Sequence, residues 1–396
     1  MGLQRKKRKT VLIIILRILA AAVLLLIAIS VILNQRYKTR MKNMTLEQRL
    51  QYNLDQITDG KKIHGTVFHI YRASDGFSWS GSTGHMNTDS QYPIASITKM
   101  YTAAVLIMME QEGLIDLDAG ITEYLPPRLT DRLHNYRGQD YSSSITVRHL
   151  MSHQSGLPDY FTEPVTEYET KKISVDEMIA IDENWHYDID KVVEWTRIRP
   201  AHFAPGTNDK AYYSDANYQL LGQIIEQITG QSLSEVYTER IFTPLKLTKT
   251  YLQTSQNEWN MPPVTRHNKE LKPASVLASE GPTGAIISTA EESMIFLRAF
   301  WGGELFDKGH LDSMQEWNKI FYPMEYGLGI MRFKAPVFVV GLSGTELTGH
   351  SGSTGSASFY CPAQDIYIVG TTNSMDNPAT AIQLALGLLA SFNYDQ

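Results

Sequence analysis

The stretch Ser96-Ile97-Thr98-Lys99 decides how this chain is interpreted. It follows an extended approach at Pro93 and opens an apolar helix that is predicted to end near Gly113. A helix turns once in about 3.6 residues, so Ser96 and Lys99 fall on one face, with the amine within reach of the hydroxyl. A hydroxyl and an amine at a helix start, where backbone N–H groups are unpaired, form the minimal arrangement for a serine acyl-enzyme.

Residues 11–33 form an apolar run that is broken only by Arg17. At about 1.5 Å per residue, a helix of this length spans the hydrocarbon core of a bilayer. We therefore predict a basic cytoplasmic tail at residues 1–10, a transmembrane anchor at 11–33 and an extracellular domain at the cell membrane. The alternative is a cleaved secretory signal, with Ala28-Ile29-Ser30 as the cleavage site. Either interpretation exports the domain.

The charge is distributed unevenly along the 396 residues. The chain carries a formal charge of −6, but ten of its 36 Lys and Arg residues and none of its 42 acidic residues precede residue 43. The remainder is therefore strongly acidic, which argues against a nucleic-acid partner. Cys361 is the only cysteine, so no intrachain disulfide is possible.

His149 and His153 have the i, i+4 spacing of a zinc-binding pair. Leu150 stands where the His-Glu-x-x-His motif requires its glutamate, so structural roles are favoured for both histidines. We predict neither a metal site nor a cofactor.

Hydrophobic periodicity predicts the remaining elements. Leu46–Ile57 has apolar residues at helical spacing and is predicted to form a lead-in helix after a polar stalk. Gly65–Tyr71 and Phe77–Ser80 are predicted to form a strand pair around a turn. Late in the chain, apolar and β-branched runs predict three strands and a closing helix: Val337–Val340, Ser356–Tyr360, Ile366–Val369 and Ala379–Leu389.

Strands at both chain ends, with mostly helix and loop between them, predict an α/β fold of the α+β type. We expect one antiparallel sheet from the two chain ends, flanked by helices, and a mainly helical lobe inserted at about residues 114–320. Residues 34–59 are predicted to be the stalk and lead-in helix, and residues 60–396 the globular domain. A cleft beside the lobe is the expected functional site.

Two further segments carry residues suited to acyl transfer. Tyr213-Ser214-Asp215 leads into an apolar helix, and His350-Ser351-Gly352-Ser353 lies in the glycine-rich late strand region. Together with the Ser-x-x-Lys stretch, they resemble the three catalytic elements of the penicillin-binding protein and class C β-lactamase family. This family of serine hydrolases includes D-alanyl-D-alanine carboxypeptidases and esterases. The segment Ser155-Gly156-Leu157-Pro158 is also similar, and the resemblance covers about residues 60–390.

The resemblance implies a β-lactamase/transpeptidase-like fold and a role for each catalytic residue. Ser96 is the expected nucleophile. A serine hydroxyl needs a base at neutral pH, and the sequence leaves Lys99 and Tyr213 open as that base. Both side chains titrate near 10 when free, so either requires a shifted pKa. The backbone N–H groups of Ser96 and Ser353 are expected to form the oxyanion hole.

Four positions are expected to contact substrate: Asp215, His350, Gly352 and Ser353. Asp215 stands where class C β-lactamases have Asn, so an acceptor-only carboxylate replaces an amide. Paired with Lys99, it would keep the amine charged. His350 replaces Lys, and its charge is expected to switch near pH 6.5, which weakens the case for recognition of a substrate carboxylate.

The resemblance and the anchor together imply an enzyme that cleaves D-alanyl amide or ester bonds of the bacterial cell envelope. A D-alanyl-D-alanine carboxypeptidase acting on peptidoglycan stem peptides is the first candidate. A teichoic-acid D-alanyl esterase is the second, since the acidic domain suits an ammonium-bearing polymer. A β-lactamase is third, and the rival from another class is a catalytically idle envelope-binding protein with the same fold.

Overall fold

The computed structural model of the chain describes residue 35 and residues 39–168, 171–335, 342 and 344–394. The predicted anchor at residues 11–33 and the predicted strand Val337–Val340 lie outside these residues. In the part of the chain that is described, no helix is both long and apolar enough to cross a bilayer.

An antiparallel sheet forms the central layer. The strands of the described residues are β1 (Gly65–Arg72), β2 (Phe77–Gly84), β3 (Tyr92–Pro93), β4 (Asn135–Tyr136), β5 (Gln139–Asp140), β6 (Thr166–Tyr168), β7 (Lys171–Ile173), β8 (Tyr251–Leu252), β9 (Val264–Arg266), β10 (Lys269–Leu271), β11 (Ile286–Ser288), β12 (Asn318–Phe321), β13 (Met324–Tyr326), β14 (Met331–Lys334), β15 (Glu346–Gly352), β16 (Ser356–Cys361) and β17 (Ile366–Thr371). The large sheet has the order β12-β13-β14-β15-β16-β17-β1-β2.

The two chain ends meet within this sheet, as the sequence predicts. Strand β1 pairs antiparallel with β17, in a register from Val67 opposite Thr371 to Arg72 opposite Ile366. Alternate side chains of a strand point to opposite faces, so each strand contributes to two cores. Val67 belongs to the core beneath the lobe, whereas Phe68 belongs to the core on the other face.

Helices cover both faces of the sheet. The helices of the described residues, in these layers and in the lobe, are α1 (Leu46–Ile57), α2 (Thr98–Gln111), α3 (Pro127–Thr130), α4 (Val147–Met151), α5 (Val175–Ile179), α6 (Ile189–Arg197), α7 (Asp215–Thr229), α8 (Leu233–Tyr237), α9 (Ala274–Glu280), α10 (Ala290–Gly302), α11 (His310–Met314) and α12 (Ala379–Ala390). Helix α10 packs on β1, β16 and β17, while α12 packs on α1, β16 and β17. The lead-in helix has the bounds that were predicted.

Helix α2 is the central element of the lobe. Its residues from Thr98 to Met109 are all buried, because α7, α8 and neighbouring turns enclose it. A helix that is apolar on every side is stable only in such an enclosure. Its N-terminus meets the end of β15, so the lobe and the sheet share a boundary at Ser96.

Candidate active site

Ser96 lies in a tight turn between β3 and α2. The turn Ala95–Ile97 is a short 3₁₀ helix, and Ala95 has φ of 49°, a left-handed value that a residue with a Cβ seldom adopts. The Ser356 hydroxyl donates a hydrogen bond to the Ile94 carbonyl at 2.7 Å. Strand β16 therefore holds this strained turn and fixes the position of the Ser96 hydroxyl.

Lys99 is fully buried in the first turn of α2, and its amine contacts three oxygen atoms. Lys99 Nζ lies 3.1 Å from Ser96 Oγ, 2.8 Å from the Thr283 carbonyl oxygen and 2.5 Å from Asp215 Oδ1. The Thr283 carbonyl only accepts hydrogen bonds, so Lys99 donates an N–H to it, and the Asp215 carboxylate forms an ion pair with the amine. The amine also faces Ser96 Oγ, to which an ammonium donates a hydrogen bond and from which a neutral amine would accept one.

Tyr213 approaches the same point from the loop before α7. Its ring centre lies 5.1 Å from Lys99 Nζ, and its hydroxyl interacts with both Lys99 and Ser96. Burial raises the pKa of Tyr213 to about 12, and the positive charge of Lys99 acts in the opposite direction. The phenol is thus protonated at neutral pH. The structure brings together the three side chains that were predicted to be catalytic.

Asp215 determines the charge of Lys99. Asp215 is the first residue of α7 and is 5% exposed. Burial by itself lowers the pKa of the amine, but the nearby Asp215 carboxylate and the Tyr213 oxygen outweigh it and raise the pKa of Lys99 above its usual value. The ion pair that was expected from the sequence is present, and the resting form of Lys99 is an ammonium.

His350 lies behind the site rather than on its surface, and its side chain is fully buried. The Ser351 carbonyl lies 2.7 Å from Nδ1 and can only accept, so Nδ1 carries the proton and Nε2 accepts from the Tyr326 hydroxyl at 3.0 Å. Burial, together with the positive charge of Lys99, lowers the pKa of His350 to about 3. The prediction that its charge switches near pH 6.5 is therefore wrong, and the enclosed ring is not among the residues that line the pocket beside Ser96.

Gly352 and Ser353 bring the end of β15 against the nucleophile turn. A Cβ on Gly352 would lie 2.5 Å from the Ile94 carbonyl oxygen and 2.8 Å from the Ala95 Cβ, so only glycine fits there. Gly352 therefore permits the approach and does not itself line the pocket. Ser353, the next residue, lines the same pocket as Ser96.

A pocket of about 180 Å³ opens beside Ser96. Its wall is largely apolar and includes Phe161, Ile179, Trp259, Val276, Leu277 and Met375. Its polar lining includes three carboxyl groups, from Asp159, Asp215 and Glu280. Among the described residues that line this pocket, none is Lys, Arg or His. The pocket thus combines an apolar wall with acidic groups next to the nucleophile.

Asp159 and Glu280 are both buried. Asp159 Oδ1 accepts a hydrogen bond from the Asp215 N–H at 2.9 Å, and the hydroxyls of Tyr187 and Thr283 donate to Glu280. Burial and the negative charge of Asp215 raise the pKa of Asp159 to about 7. The same two causes raise the pKa of Glu280 well above its usual range. A cation in the pocket would favour the ionised form of both groups.

Comparison with known proteins identifies the family. The profile of the family described as Beta-lactamase matches residues 29–390. This chain belongs to the beta-lactamase family. Members of this family include serine hydrolases.

Individual proteins are similar to parts of this chain. Penicillin-binding protein 4* of Bacillus subtilis is 26% identical over 209 residues, which cover 51% of this chain and 41% of that protein. The N-acetylmuramyl-L-alanine amidase of Bacillus subtilis is 31% identical over 196 residues, covering 49% and 40%. The chain thus matches less than half the length of these relatives.

A solved structure is similar over nearly its whole length. The D-stereospecific amidohydrolase from Streptomyces sp. has a TM-score of 0.69 and 25% identity, covering 86% of this chain and 98% of that one. The β-lactamase/transpeptidase-like fold predicted from the sequence is therefore confirmed.

Three residues of this beta-lactamase-family chain that surround Ser96 and Lys99 were not predicted from the sequence. The Thr283 carbonyl and the Glu280 carboxyl come from the end of α9 and its glycine-rich turn, where no motif marks them. Asp159 directly follows the family-like Ser155-Gly156-Leu157-Pro158 segment, and this position next to a family motif could have indicated Asp159 as a site residue.

The two histidines at zinc-pair spacing have structural partners. His153 Nδ1 accepts a hydrogen bond from Asn217 Nδ2 at 2.9 Å, and its ring packs 4.4 Å from the Tyr213 ring. His149 Nδ1 accepts from the Thr146 N–H at 3.2 Å and caps α4. His153 thus supports Tyr213 from behind, and His149 stabilises a helix start.

Proposed function

We propose that this protein is an extracytoplasmic hydrolase in which Ser96 forms an acyl-enzyme with D-alanyl groups held by ester or amide bonds in the bacterial envelope. The observation that supports this most directly is the contact of Ser96 with Lys99 and Tyr213 beside an apolar pocket. A nucleophile that touches both candidate proton acceptors is suited to acyl transfer.

Lys99 acts as a proton relay in the proposed acylation step. Ser96 Oγ attacks the substrate carbonyl carbon and passes its proton to Lys99, while Lys99 passes one to Asp215 over the 2.5 Å contact. The backbone N–H groups of Ser96 and Ser353 stabilise the oxyanion. Tyr213 then donates its proton to the leaving oxygen or nitrogen, and the C–O or C–N bond breaks.

Deacylation reverses these transfers. A water molecule attacks the acyl carbon and gives its proton to the Tyr213 phenolate. Ser96 leaves with a proton from Lys99, and Asp215 returns a proton to Lys99. All groups regain their resting protonation states, and the net reaction is hydrolysis.

The charge of the pocket favours an acyl group that carries a free ammonium. Asp159, Asp215 and Glu280 lie beside the nucleophile, and no cationic side chain is among the described lining residues. An α-ammonium is separated from the carbonyl carbon under attack by one carbon atom, so it would lie near Asp159 and Glu280. Its charge would draw these two carboxyl groups, whose pKa values are raised, into their ionised forms. D-alanyl esters and D-aminoacyl amides carry this group.

The acidic lining of the pocket also argues against a substrate that presents a carboxylate to the site. A D-alanyl-D-alanine peptide presents its terminal carboxylate to the site and has no ammonium on the attacked residue. His350 is neutral and enclosed, so it offers no counter-charge. We therefore place a D-alanyl esterase or D-aminoacyl amidase ahead of the carboxypeptidase that the sequence put first, with β-lactamase activity last. Similarity to a D-stereospecific amidohydrolase supports the choice of the D series.

The cellular location of the protein is proposed from its sequence. The apolar residues 11–33 would anchor the chain in the cell membrane, with the hydrolase domain outside the cell. Teichoic-acid D-alanyl esters would then be within reach of the active site.

The test compares three substrates with the full chain in detergent. We expect D-alanine methyl ester to have a kcat/KM at least tenfold above that of its N-acetyl derivative and of a diacetyl-Lys-D-Ala-D-Ala peptide. Ser96→Ala should abolish turnover, and mass spectrometry should find the D-alanyl adduct on Ser96 in a quenched wild-type reaction.

Three other outcomes would count against the proposal. Faster turnover of the N-acetyl ester would contradict ammonium recognition. Preference for the peptide would restore the carboxypeptidase. A folded protein with no turnover and no labelling by fluorescent penicillin would favour the idle envelope-binding protein.

A further inference from the structure

Two histidines stand side by side at one end of the β1–β2 pair, outside the active site. Gly65 pairs with Gly84 in the register, so His64 and His85 are the next cross-strand neighbours. The His85 N–H donates to the His64 carbonyl at 2.9 Å, and the two ring centres are 5.7 Å apart. Antiparallel pairing thus presents two imidazoles next to each other.

A carboxylate from a distant part of the chain completes the group. Glu270 belongs to β10, and its Oε1 lies 3.1 Å from His64 Nδ1 and 3.8 Å from His85 Nδ1. One ligand atom from each of the three residues lies within 4.8 Å of the others. Ligands at about 2.0–2.1 Å from a tetrahedral zinc ion are about 3.4 Å apart, and the two measured distances bracket that spacing.

The hydrogen bonding of His64 indicates that a proton or a metal ion lies between its Nδ1 atom and the Glu270 carboxylate. His64 Nε2 lies 3.0 Å from the Lys61 carbonyl, which can only accept, so Nε2 carries a proton. In the neutral ring Nδ1 then has a lone pair, and it faces a carboxylate oxygen that is also an acceptor. Either a second proton on the ring or a metal ion must lie between them. A histidine that donates its other N–H to a backbone carbonyl is the usual arrangement for a metal ligand.

We infer that His64, His85 and Glu270 bind one divalent transition-metal ion, with Zn²⁺ the best match. Two imidazoles and one carboxylate suit zinc, whereas Mg²⁺ and Ca²⁺ prefer oxygen ligands. Three protein ligands leave a fourth position for water. The His85 and Glu270 side chains are 67% and 48% exposed, so the ion exchanges with solvent.

The ion would join two parts of the fold. His64 and His85 flank the end of the β1–β2 pair of the sheet, while Glu270 belongs to the β9–β10 ribbon. That ribbon lies in the chain between Trp259 and Val276, which line the pocket. Zinc binding would therefore tether a segment that leads into the pocket wall, and we expect it to raise the melting temperature.

The test measures zinc binding directly, and its result does not depend on turnover. The full chain in detergent is treated with chelator, desalted and titrated with ZnCl₂ by calorimetry, with bound zinc counted by mass spectrometry. We expect one zinc per chain in the wild type and no displacement by millimolar Mg²⁺.

Two variants and one control locate the ion. We expect His85→Ala and Glu270→Gln each to weaken zinc binding at least tenfold, with circular dichroism and basal turnover unchanged. His267→Asn in the same β9–β10 ribbon replaces an exposed histidine and should bind zinc as the wild type does.

Two results would overturn the site. One is the absence of bound zinc in the folded wild type at 100 µM ZnCl₂, which would leave a protonated His64 paired with Glu270. The other is equal zinc affinity in the wild type, His85→Ala and Glu270→Gln, which would place the ion elsewhere.

Discussion

Lys99 Nζ lies 2.5 Å from Asp215 Oδ1, and both side chains are buried beside the nucleophile. Removing one partner of a buried ion pair leaves an uncompensated charge, at a typical cost of about 3–5 kcal/mol. The other partner avoids this cost by becoming neutral. Asp215 therefore holds Lys99 in its charged form, and its removal should change how activity depends on pH.

Asp215→Asn should require Lys99 to lose its proton to solvent before it can accept one from Ser96. In the wild type, Lys99 passes that proton to the carboxylate. Without the carboxylate, burial lowers the pKa of Lys99, so we expect the kcat of the variant to fall at least tenfold towards pH 5, where the amine takes up a proton from solvent, while the wild type stays nearly flat. The measurement is the kcat of a D-alanine amide substrate between pH 5 and 10.

Asp118→Asn is the matched control for this profile. Asp118 pairs with Arg148 at 2.6 Å on the surface, where loss of the ion pair has little effect. Its pH profile should equal that of the wild type. If Asp215→Asn also kept the wild-type profile, the relay through the carboxylate would be wrong.

Tyr213→Phe should separate good leaving groups from poor ones. The phenol is placed to protonate the departing atom, so its loss should lower the kcat of an amide substrate by about 10²–10⁴. A p-nitrophenyl ester, whose leaving group departs without a proton, should lose far less. Single-turnover rates of both substrates measure the difference.

Tyr212→Phe provides the control in the adjacent residue. The Tyr212 hydroxyl donates to Glu163 at 2.9 Å, and Tyr212 does not line the pocket. The variant Tyr212→Phe should therefore leave the rates of amide and ester turnover unchanged. An equal loss of amide and ester turnover in Tyr213→Phe would indicate that the phenol does not act as the acid.

The proposed catalytic residues were predictable because they lie in local patterns. One helical turn places Ser96 and Lys99 together whatever the rest of the chain does. The sheet from both chain ends followed from where β-branched runs occur, as the β1–β17 register confirms. Strands β12 and β13 were missed because they are short and partly polar, and pairing with neighbours stabilises them.

The charge states and distant contacts of the site residues were harder to predict from the sequence. The charge state of His350 depends on its enclosure by residues far away in the chain, so a pKa near that of free histidine was a wrong expectation. The Lys99–Thr283 hydrogen bond and the His64–Glu270 contact join residues separated by more than 100 positions. No local spacing encodes such contacts.

Gly352→Ala should impair catalysis through the position of Ser96. The new Cβ would lie 2.5 Å from the Ile94 carbonyl oxygen, so the nucleophile turn must shift. A displacement of this kind commonly costs about 10²-fold in rate. We expect kcat to fall at least tenfold. Gly302→Ala, where the nearest atom is 3.8 Å away, should retain full activity. Wild-type kcat in Gly352→Ala would refute the close-approach argument.

His350 should make stability depend on pH. Its pKa is about 3 in the folded protein and near 6.5 when unfolded, so between these values the unfolded chain binds a proton that the native protein does not. Stability is therefore complete above pH 6.5 and is lost as pH falls, at up to about 1.4 kcal/mol per pH unit.

His350→Gln removes this titration and keeps an uncharged side chain with one donor and one acceptor for Ser351 and Tyr326. We expect the urea-unfolding free energy of the wild type to fall more steeply than that of His350→Gln between pH 6.5 and 4.5. His186→Gln, which replaces an exposed histidine, should follow the wild type. Parallel curves for wild type and His350→Gln would mean that the native ring is already charged, which contradicts its enclosed, neutral state.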